Sequence, residues 1–419
     1  MKHCLQKKAT KVKILVIHNF HRKGSASGDD QVFKSEKKLL ESNGHEVITY
    51  TVSNDSFDNL GIYGKLLATF GMLWSFRNYK AVKNLILKEQ PDLVHVHTFF
   101  PLLSPSILYA AKSCGKKVVA TLHDTRFVCP CATSLRGKEL CNKCGDGFYF
   151  RMCKYNCFKN SKFQSFIVAG IFTFHRILKT FYKKIDHYIC LNDNQIELLA
   201  KIGFDKNKIS KKYNFVQNNE VSNNIDKNFS EILPERYVVF YGRIGEEKGI
   251  QVLMNIWNRI ENIPLVVMGD GPLASIFKKW SNGRKNVRFL GYVPHDICLS
   301  IVKKSEFVVF PSIWYEGCSM VEIETESLGK CLIATDLGFS SEAIENEKNG
   351  YKVPLGDIDV FVRSITKLWN NPLKISEMGN NARLDYELKY KPQENYLQLI
   401  NIYNKTLTDW YESRYFFVR

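Results

Sequence analysis

Apolar residues come in short runs along the chain, at 12–17, 45–50, 93–97, 117–122 and 185–191, and each run reads as a strand. Between them the spacing turns helical. In 31–43, Val32, Phe33, Leu39 and Leu40 fall on one helix face, and Gly44 follows as a stop signal. Residues 104–113 and 195–202 read the same way, the second ending at Gly203. A stretch rich in Asn, Asp and Ser, 213–236, with Pro234 near its end, breaks the rhythm and reads as a linker. The rhythm then restarts, with strands at 237–241, 265–268, 287–290, 307–310 and 331–334 and helices between them. Strand–helix alternation implies parallel sheets joined by right-handed crossovers. The expected fold class is therefore α/β: two doubly wound, Rossmann-like domains, 1–212 and 237–390, facing each other across a cleft. Residues 391–419 are expected to form a helix that returns to the first domain.

In an open α/β sheet, ligands sit beyond the carboxyl ends of the strands. Two such ends carry matched chemistry. The strand at 237–241 runs into Gly242-Arg243 and then Lys248-Gly249. The strand at 307–310 runs into a loop holding Glu316, Gly317, Cys318 and Ser319, and then a helix holding Glu324. Arg and Lys suit phosphate oxygens, carboxylates accept hydrogen bonds from sugar hydroxyls, and a helix start adds backbone donors. A nucleotide-sugar site accounts for this set. A solvated helix face accounts for the glutamates equally well, because Glu322 and Glu326 lie beside them. Gly28, in Ser27-Gly28-Asp29-Asp30, is a weaker phosphate-loop candidate, and Gly269-Asp270-Gly271-Pro272 reads as a tight turn. His123 ends the strand at 117–122 and is expected in the cleft, while Asp124 beside it also suits a helix cap.

Charge is uneven. Residues 1–212 hold 35 Lys and Arg against 16 Asp and Glu, and the remainder holds 24 against 26. The excess suits anionic lipid headgroups or phosphorylated substrates, or simply a soluble basic face. Apolar residues interleave with cations in two segments: 63–88, with Lys65, Leu66, Leu67, Phe70, Trp74 and Phe76, and 163–184, with Arg176, Lys179, Lys183 and Lys184. Such stripes fit a helix lying in a membrane interface, and they also fit packing on the domain core. Lys2, Lys7 and Lys8 lead directly into the first strand without an apolar signal region, and no run is long enough to span a bilayer. Six of the twelve cysteines fall between 129 and 157, in an insertion near 125–160. Cys141, Cys144, Cys153 and Cys157 have the spacing of a structural zinc site, though buried free thiols fit too.

Together these motifs resemble a retaining family-4 glycosyltransferase of the GT-B fold, over almost the whole length. The resemblance rests on Gly242-Arg243 with Lys248-Gly249, on 266–273, on 287–293, on Glu316 with Glu324, on 329–334 and on Asn349-Gly350-Tyr351. In the first half, His95-Val96-His97, 101–105 and Thr121-Leu122-His123 resemble the branch that builds cell-surface polysaccharides. The resemblance implies that Arg243 and Lys248 bind the donor diphosphate and Glu324 the ribose. It implies that Glu316, with Gly317 and the amides of Cys318 and Ser319, holds the transferred sugar and its phosphate. It implies that His123 lies near the reacting carbon and that Gly28 lets the first loop approach the phosphates. No cofactor for catalysis and no nucleic acid are implied. The acceptor would be a glycan or lipid-linked sugar, at the cytoplasmic face of the cell membrane. The chain departs from the family pattern at Ser27-Gly28, Cys318-Ser319, Thr325 and Phe339. Two other classes fit parts of the pattern: a nucleotide-sugar epimerase of the same fold, and a zinc-stabilised nucleic-acid binder.

Overall fold

The computed structural model describes residues 11–22, 27–58, 62–136, 139–217, 229 and 231–415. Lys2, Lys7 and Lys8, most of the expected linker, and the side chains of Lys65, Leu66 and Leu67 lie outside the described residues. The chain divides into two compact units. The first comprises 1–133, 142–212 and 395–419; the second comprises 134–141 and 213–394.

In the first unit, six parallel strands are β1 (Lys13–Phe20), β2 (Glu46–Ser53), β3 (Leu93–Thr98), β4 (Lys117–Leu122), β5 (His187–Cys190) and β6 (Ile209–Lys211). Their order is β2-β1-β3-β4-β5-β6. The crossovers include α1 (Gly28–Ser42), α2 (Phe76–Glu89), α3 (Ser106–Ser113), α4 (Lys162–Ile177) and α5 (Asp193–Lys201). Strand β1 is buried at all six of its central positions, which is why its sequence is a near-continuous apolar run. Strand order reverses between β1 and β3, so the ligand-bearing switch point of this sheet lies at the carboxyl ends of those two strands.

The second unit repeats the plan with β7 (Val238–Tyr241), α6 (Ile250–Trp257), β8 (Leu265–Met268), α7 (Ala274–Ser281), β9 (Val287–Gly291), α8 (His295–Lys304), β10 (Val308–Phe310), α9 (Met320–Ser327), β11 (Leu332–Thr335) and β12 (Gly350–Val353). Its order is β9-β8-β7-β10-β11-β12. Alternate residues of β7 enter opposite cores. Val238 and Phe240 pack with Leu253 and Trp257, while Val239 and Tyr241 pack with Ile301 and Phe310. Each such side chain contributes roughly 1.5–3 kcal/mol by leaving water. Strands β7 and β10 pair directly, Val239 opposite Val308, and the order reverses there. The second switch point therefore joins the two strand ends that carry Arg243, Lys248 and Glu316.

Helices α10 (Ile358–Trp369) and α11 (Pro372–Lys389) follow, and then α12 (Pro392–Tyr415). From Asn395 onward α12 belongs to the first unit, where Tyr396 meets His45 at 2.9 Å and Tyr403 meets His95 at 2.7 Å. Strands β6 and β12 escaped the sequence reading: one is only three residues long, and the other begins at a glycine.

Candidate functional site

At the second switch point Lys248 Nζ lies 2.6 Å from Glu316 Oε1, and Ser312 Oγ donates to the same oxygen at 2.9 Å. The Lys248 ammonium also sits 5.4 Å from the Phe310 ring and 5.5 Å from the Trp314 ring. Two glycines let the backbone close on this corner. Gly249 has φ +73°, and a Cβ there would fall 1.8 Å from the Pro311 carbonyl oxygen. Gly338 has φ +58°, a Cβ there would meet the Glu316 backbone at 2.8 Å, and Phe339 N donates to Glu316 O at 3.1 Å. The segment at 338–339 thus clamps Glu316 from behind. Arg243 is half exposed and pairs with Glu247 at 3.3 Å.

Gly317 leads into Cys318, which is buried and takes two contacts from Asn214, at its Sγ (3.3 Å) and its carbonyl (3.0 Å). Ser319 caps α9, accepting from Glu322 N at 3.4 Å. The alternative of a solvated glutamate face fails here, because Glu322, Glu324 and Glu326 are all buried. Burial raises Glu324 to about 8. Burial, with the Glu316 charge nearby, raises Glu322 to about 8 as well. Glu324 Oε1 lies 3.3 Å from His295 Nε2, and burial lowers His295. At neutral pH this contact joins two uncharged groups, so the Glu324 carboxyl can both donate and accept.

The first switch point is built from imidazoles. His18 ends up on β1, His95 and His97 on β3, and His123 just past β4. His97 Nδ1 and His123 Nε2 are 3.1 Å apart, and His123 Nδ1 is 3.9 Å from Asp29 Oδ1. Burial holds His97 down to about 4 and His123 down to about 3, so both rings are neutral at physiological pH. Gly28 is exposed at the start of α1, and the first turn carries Asp29 and Asp30. Asp30 is engaged by His18 at 2.8 Å and by His21. Two carboxylates in the turn oppose a phosphate there, which weakens the phosphate-loop expectation for Gly28. Asp124 accepts from Arg126 N and its guanidinium, closing a turn rather than capping a long helix.

Part of the cysteine cluster converges on Cys131. Cys129 and Cys131 Sγ atoms are 3.2 Å apart, and hydrogen bonds from Cys129 and Cys157 pull the Cys131 thiol far below its ordinary value. Cys144, Cys153 and Cys157 pack against the apolar core. Among the described residues, the ligand-type atoms of Glu36, His95 and His97 lie within 4.8 Å of one another.

Residues 32–219 match the family described as Glycosyltransferase Family 4, and residues 222–385 match the one described as Glycosyl transferases group 1. The chain is 23% identical over 343 residues to the 2-deoxystreptamine N-acetyl-D-glucosaminyltransferase of Niallia circulans, covering 77% of this chain and 79% of that protein. It is 29% identical over 130 residues to the UDP-Gal:alpha-D-GlcNAc-diphosphoundecaprenol alpha-1,3-galactosyltransferase of Escherichia coli, covering 30% of this chain and 33% of that one. Among solved structures, Anabaena HepE in complex with UDP aligns with a TM-score of 0.66 at 16% identity, over 94% of this chain and 100% of that one. That last likeness is one of fold.

Proposed function

The chain belongs to the group 1, family-4 glycosyltransferases of the GT-B fold, and from that premise we propose that it is a retaining enzyme that extends a lipid-linked glycan for a cell-surface polysaccharide. Family membership carries the coarser statement, sugar transfer from a nucleotide sugar. The Lys248–Glu316 pair at the second switch point carries the donor reading. A diphosphate arriving at the start of α9 meets Lys248, Arg243 and the amides of Cys318 and Ser319. Glu316 and Gly317 then face the sugar, and Glu324 takes the ribose hydroxyls. Gly28 is the weakest member of the set. In the transfer step the bond from the anomeric carbon to the diphosphate breaks and a bond to the acceptor oxygen forms. The acceptor's proton leaves with the diphosphate, whose growing charge these cations and amides stabilise. No divalent metal is needed for that neutralisation. His123 accepts a hydroxyl of the transferred sugar.

Helix α4 supports the membrane part. Its face of Ser165, Val168, Ala169, Phe172 and His175 is buried, whereas Phe163, Phe166, Phe174 and Ile177 are exposed. Those four positions fall within one arc of the helix, since steps of 3 and 11 residues return to nearly the same side. The exposed stripe, flanked by Lys162 and Arg176 and followed by Lys179, Lys183 and Lys184, suits an interfacial helix at an anionic leaflet. No helix among the described residues is long and apolar enough to cross a membrane.

Incubation with a panel of nucleotide sugars and a lipid-linked acceptor tests the reading, with nucleotide release and the anomeric signal of the product as readouts. An α-linked product from an α-linked donor, formed in the presence of chelator, is expected. An inverted product, or turnover that returns only on adding magnesium or manganese, would remove the corresponding part.

A further inference from the structure

The first switch point contains a buried ion pair that the transfer chemistry above does not use. Glu36, on α1, is fully buried, and its Oε2 lies 2.9 Å from Lys212 Nζ, which also reaches Asn395 Oδ1 at 3.2 Å. Burial pushes Glu36 upward, but the Lys212 charge and the imidazoles of His97 and His95 outweigh it and hold the carboxyl well below its ordinary value. Glu36 is therefore a fixed acceptor. Its other oxygen, Oε1, lies 3.1 Å from His97 Nε2 and 3.2 Å from His95 Nδ1, and neither Oε1 nor His97 Nε2 closes a well-aligned hydrogen bond. The Tyr403 hydroxyl also engages His95 Nδ1, at 2.7 Å, and Thr121 Oγ1 meets its Nε2.

A neutral imidazole carries one N–H. With the Glu36 carboxylate 3.1 Å from Nε2 in a buried site, a proton on that nitrogen is attracted and a lone pair there is repelled. The proton of His97 therefore belongs on Nε2, which leaves Nδ1 as an acceptor. The partner of that Nδ1 is His123 Nε2, 3.1 Å away with 19° between the ring planes. His123 then carries its proton on Nε2 and a lone pair on Nδ1, because the Glu36 carboxylate, buried and 3.1 Å from His97, outweighs the partly exposed Asp29, 3.9 Å from His123 Nδ1. The three ligand-type atoms of Glu36, His95 and His97 are also spaced as metal ligands would be. The Lys212 ammonium already balances Glu36, and a divalent cation there would be buried without compensation, so the cluster favours a proton over a metal.

We propose that Lys212, Glu36 and His97 are positioning residues that lock His123 in its Nε2–H tautomer, presenting Nδ1 to the substrate as a hydrogen-bond acceptor. The proposal rests on the reading that His123 meets the transferred sugar, and it deepens that reading by assigning which nitrogen does so and what holds it. Nitrogen-15 labelling of histidine in the full chain, read by two-bond correlation, reports the tautomer of His123 without any substrate. Wild-type protein is expected to show Nε2–H. In Glu36→Leu/Lys212→Met, which removes both charges together, His123 is expected to become a mixture of tautomers, and kcat to fall about tenfold with the donor KM unchanged. A purely structural role would lower the melting temperature without moving the tautomer. If that pair fails to fold, His97→Phe, which deletes the nitrogen facing His123, carries the same expectation. An Nδ1–H form in wild type, or a wild-type tautomer and kcat in the folded variant, overturns the proposal. So does a stoichiometric divalent ion that His97→Phe releases. His123→Ala separates the two levels: near-wild-type turnover there removes the role of His123 in transfer, whatever the tautomer.

Discussion

The two sheets solve the same problem with opposite electrostatics. At the β1/β3 switch point His97 and His123 are neutral imidazoles, backed by a buried ion pair of Glu36 and Lys212. At the β7/β10 switch point they are a live cation–carboxylate pair, Lys248 with Glu316, backed by buried glutamates that are themselves uncharged. Charge lies behind the working groups in one unit and among them in the other. The difference follows from the ligand each would serve. A diphosphate needs positive charge within reach, whereas a neutral sugar hydroxyl needs an oriented acceptor that does not change its charge.

The largest effect should come from splitting the buried pair in the first unit. Glu36→Leu alone strands the Lys212 ammonium and is expected to cost about 3–5 kcal/mol in denaturant unfolding. The paired change Glu36→Leu/Lys212→Met should recover most of that stability. Equal losses in both variants would show that Glu36 contributes packing rather than charge balance.

Lys248→Ala comes next. It removes a charge-assisted contact worth roughly 1.5–3 kcal/mol, so kcat/KM should fall at least tenfold while the fold persists. Arg243→Ala, at a half-exposed position, should lose less. Wild-type kinetics in both would displace the donor site from β7/β10.

The pH dependence of the two units should run in opposite directions. Glu322 and Glu324 have folded values near 8, against an ordinary 4.5. The folded form holds their protons where the unfolded chain has lost them. Their share of stability is therefore full below about pH 4.5 and lost as pH rises through 8. Glu36 and Asp30 have lowered folded values. Their share is present above the ordinary carboxylate range and lost as pH falls through the folded values. Hydrogen exchange corrected for intrinsic rates, resolved by peptide, should show β7–β12 weakening toward alkaline pH and β1–β4 weakening toward acid. Parallel behaviour of both units would erase the contrast.

The smallest effect concerns the surface of α4. Phe163→Asp/Ile177→Asp should reduce sedimentation with anionic vesicles while leaving turnover on a soluble acceptor within about twofold. Each nearby Lys or Arg adds about 1 kcal/mol at an anionic surface, so raised salt should release the wild-type protein too. Equal partitioning onto neutral vesicles would exclude this mode.

Most strands and the corner that pairs Lys248 with Glu316 were legible in the chain because they rest on local signals. Val238 to Tyr241 is apolar throughout because both of its faces are covered, and Gly242-Arg243 and Lys248-Gly249 follow at fixed distance. Glu322 and Glu326 were not legible. A helix written Met-Val-Glu-Ile-Glu-Thr-Glu-Ser has no clean apolar stripe, so nothing local says that its carboxyls are buried. The spacing of His95 and His97, two apart on one strand, did place both on one face of the sheet. It could not reveal Glu36, 59 positions before His95, or Lys212, far beyond it.

The sequence by itself determined the alternation of strands and helices, the two-domain plan, the charge asymmetry and the residue types at the strand ends. Period, propensity and turn chemistry act over a few residues, so they survive in a linear reading. Only the tertiary structure decided strand order, and with it which strand ends are neighbours. It also decided that Cys129 and Cys157 converge on Cys131, that α4 shows an apolar face to solvent, and that His123 and Glu36 both lie beside the His97 ring. Each of these depends on what is brought within a few ångströms from distant parts of the chain, where burial and a facing charge set protonation and hydrogen-bond direction.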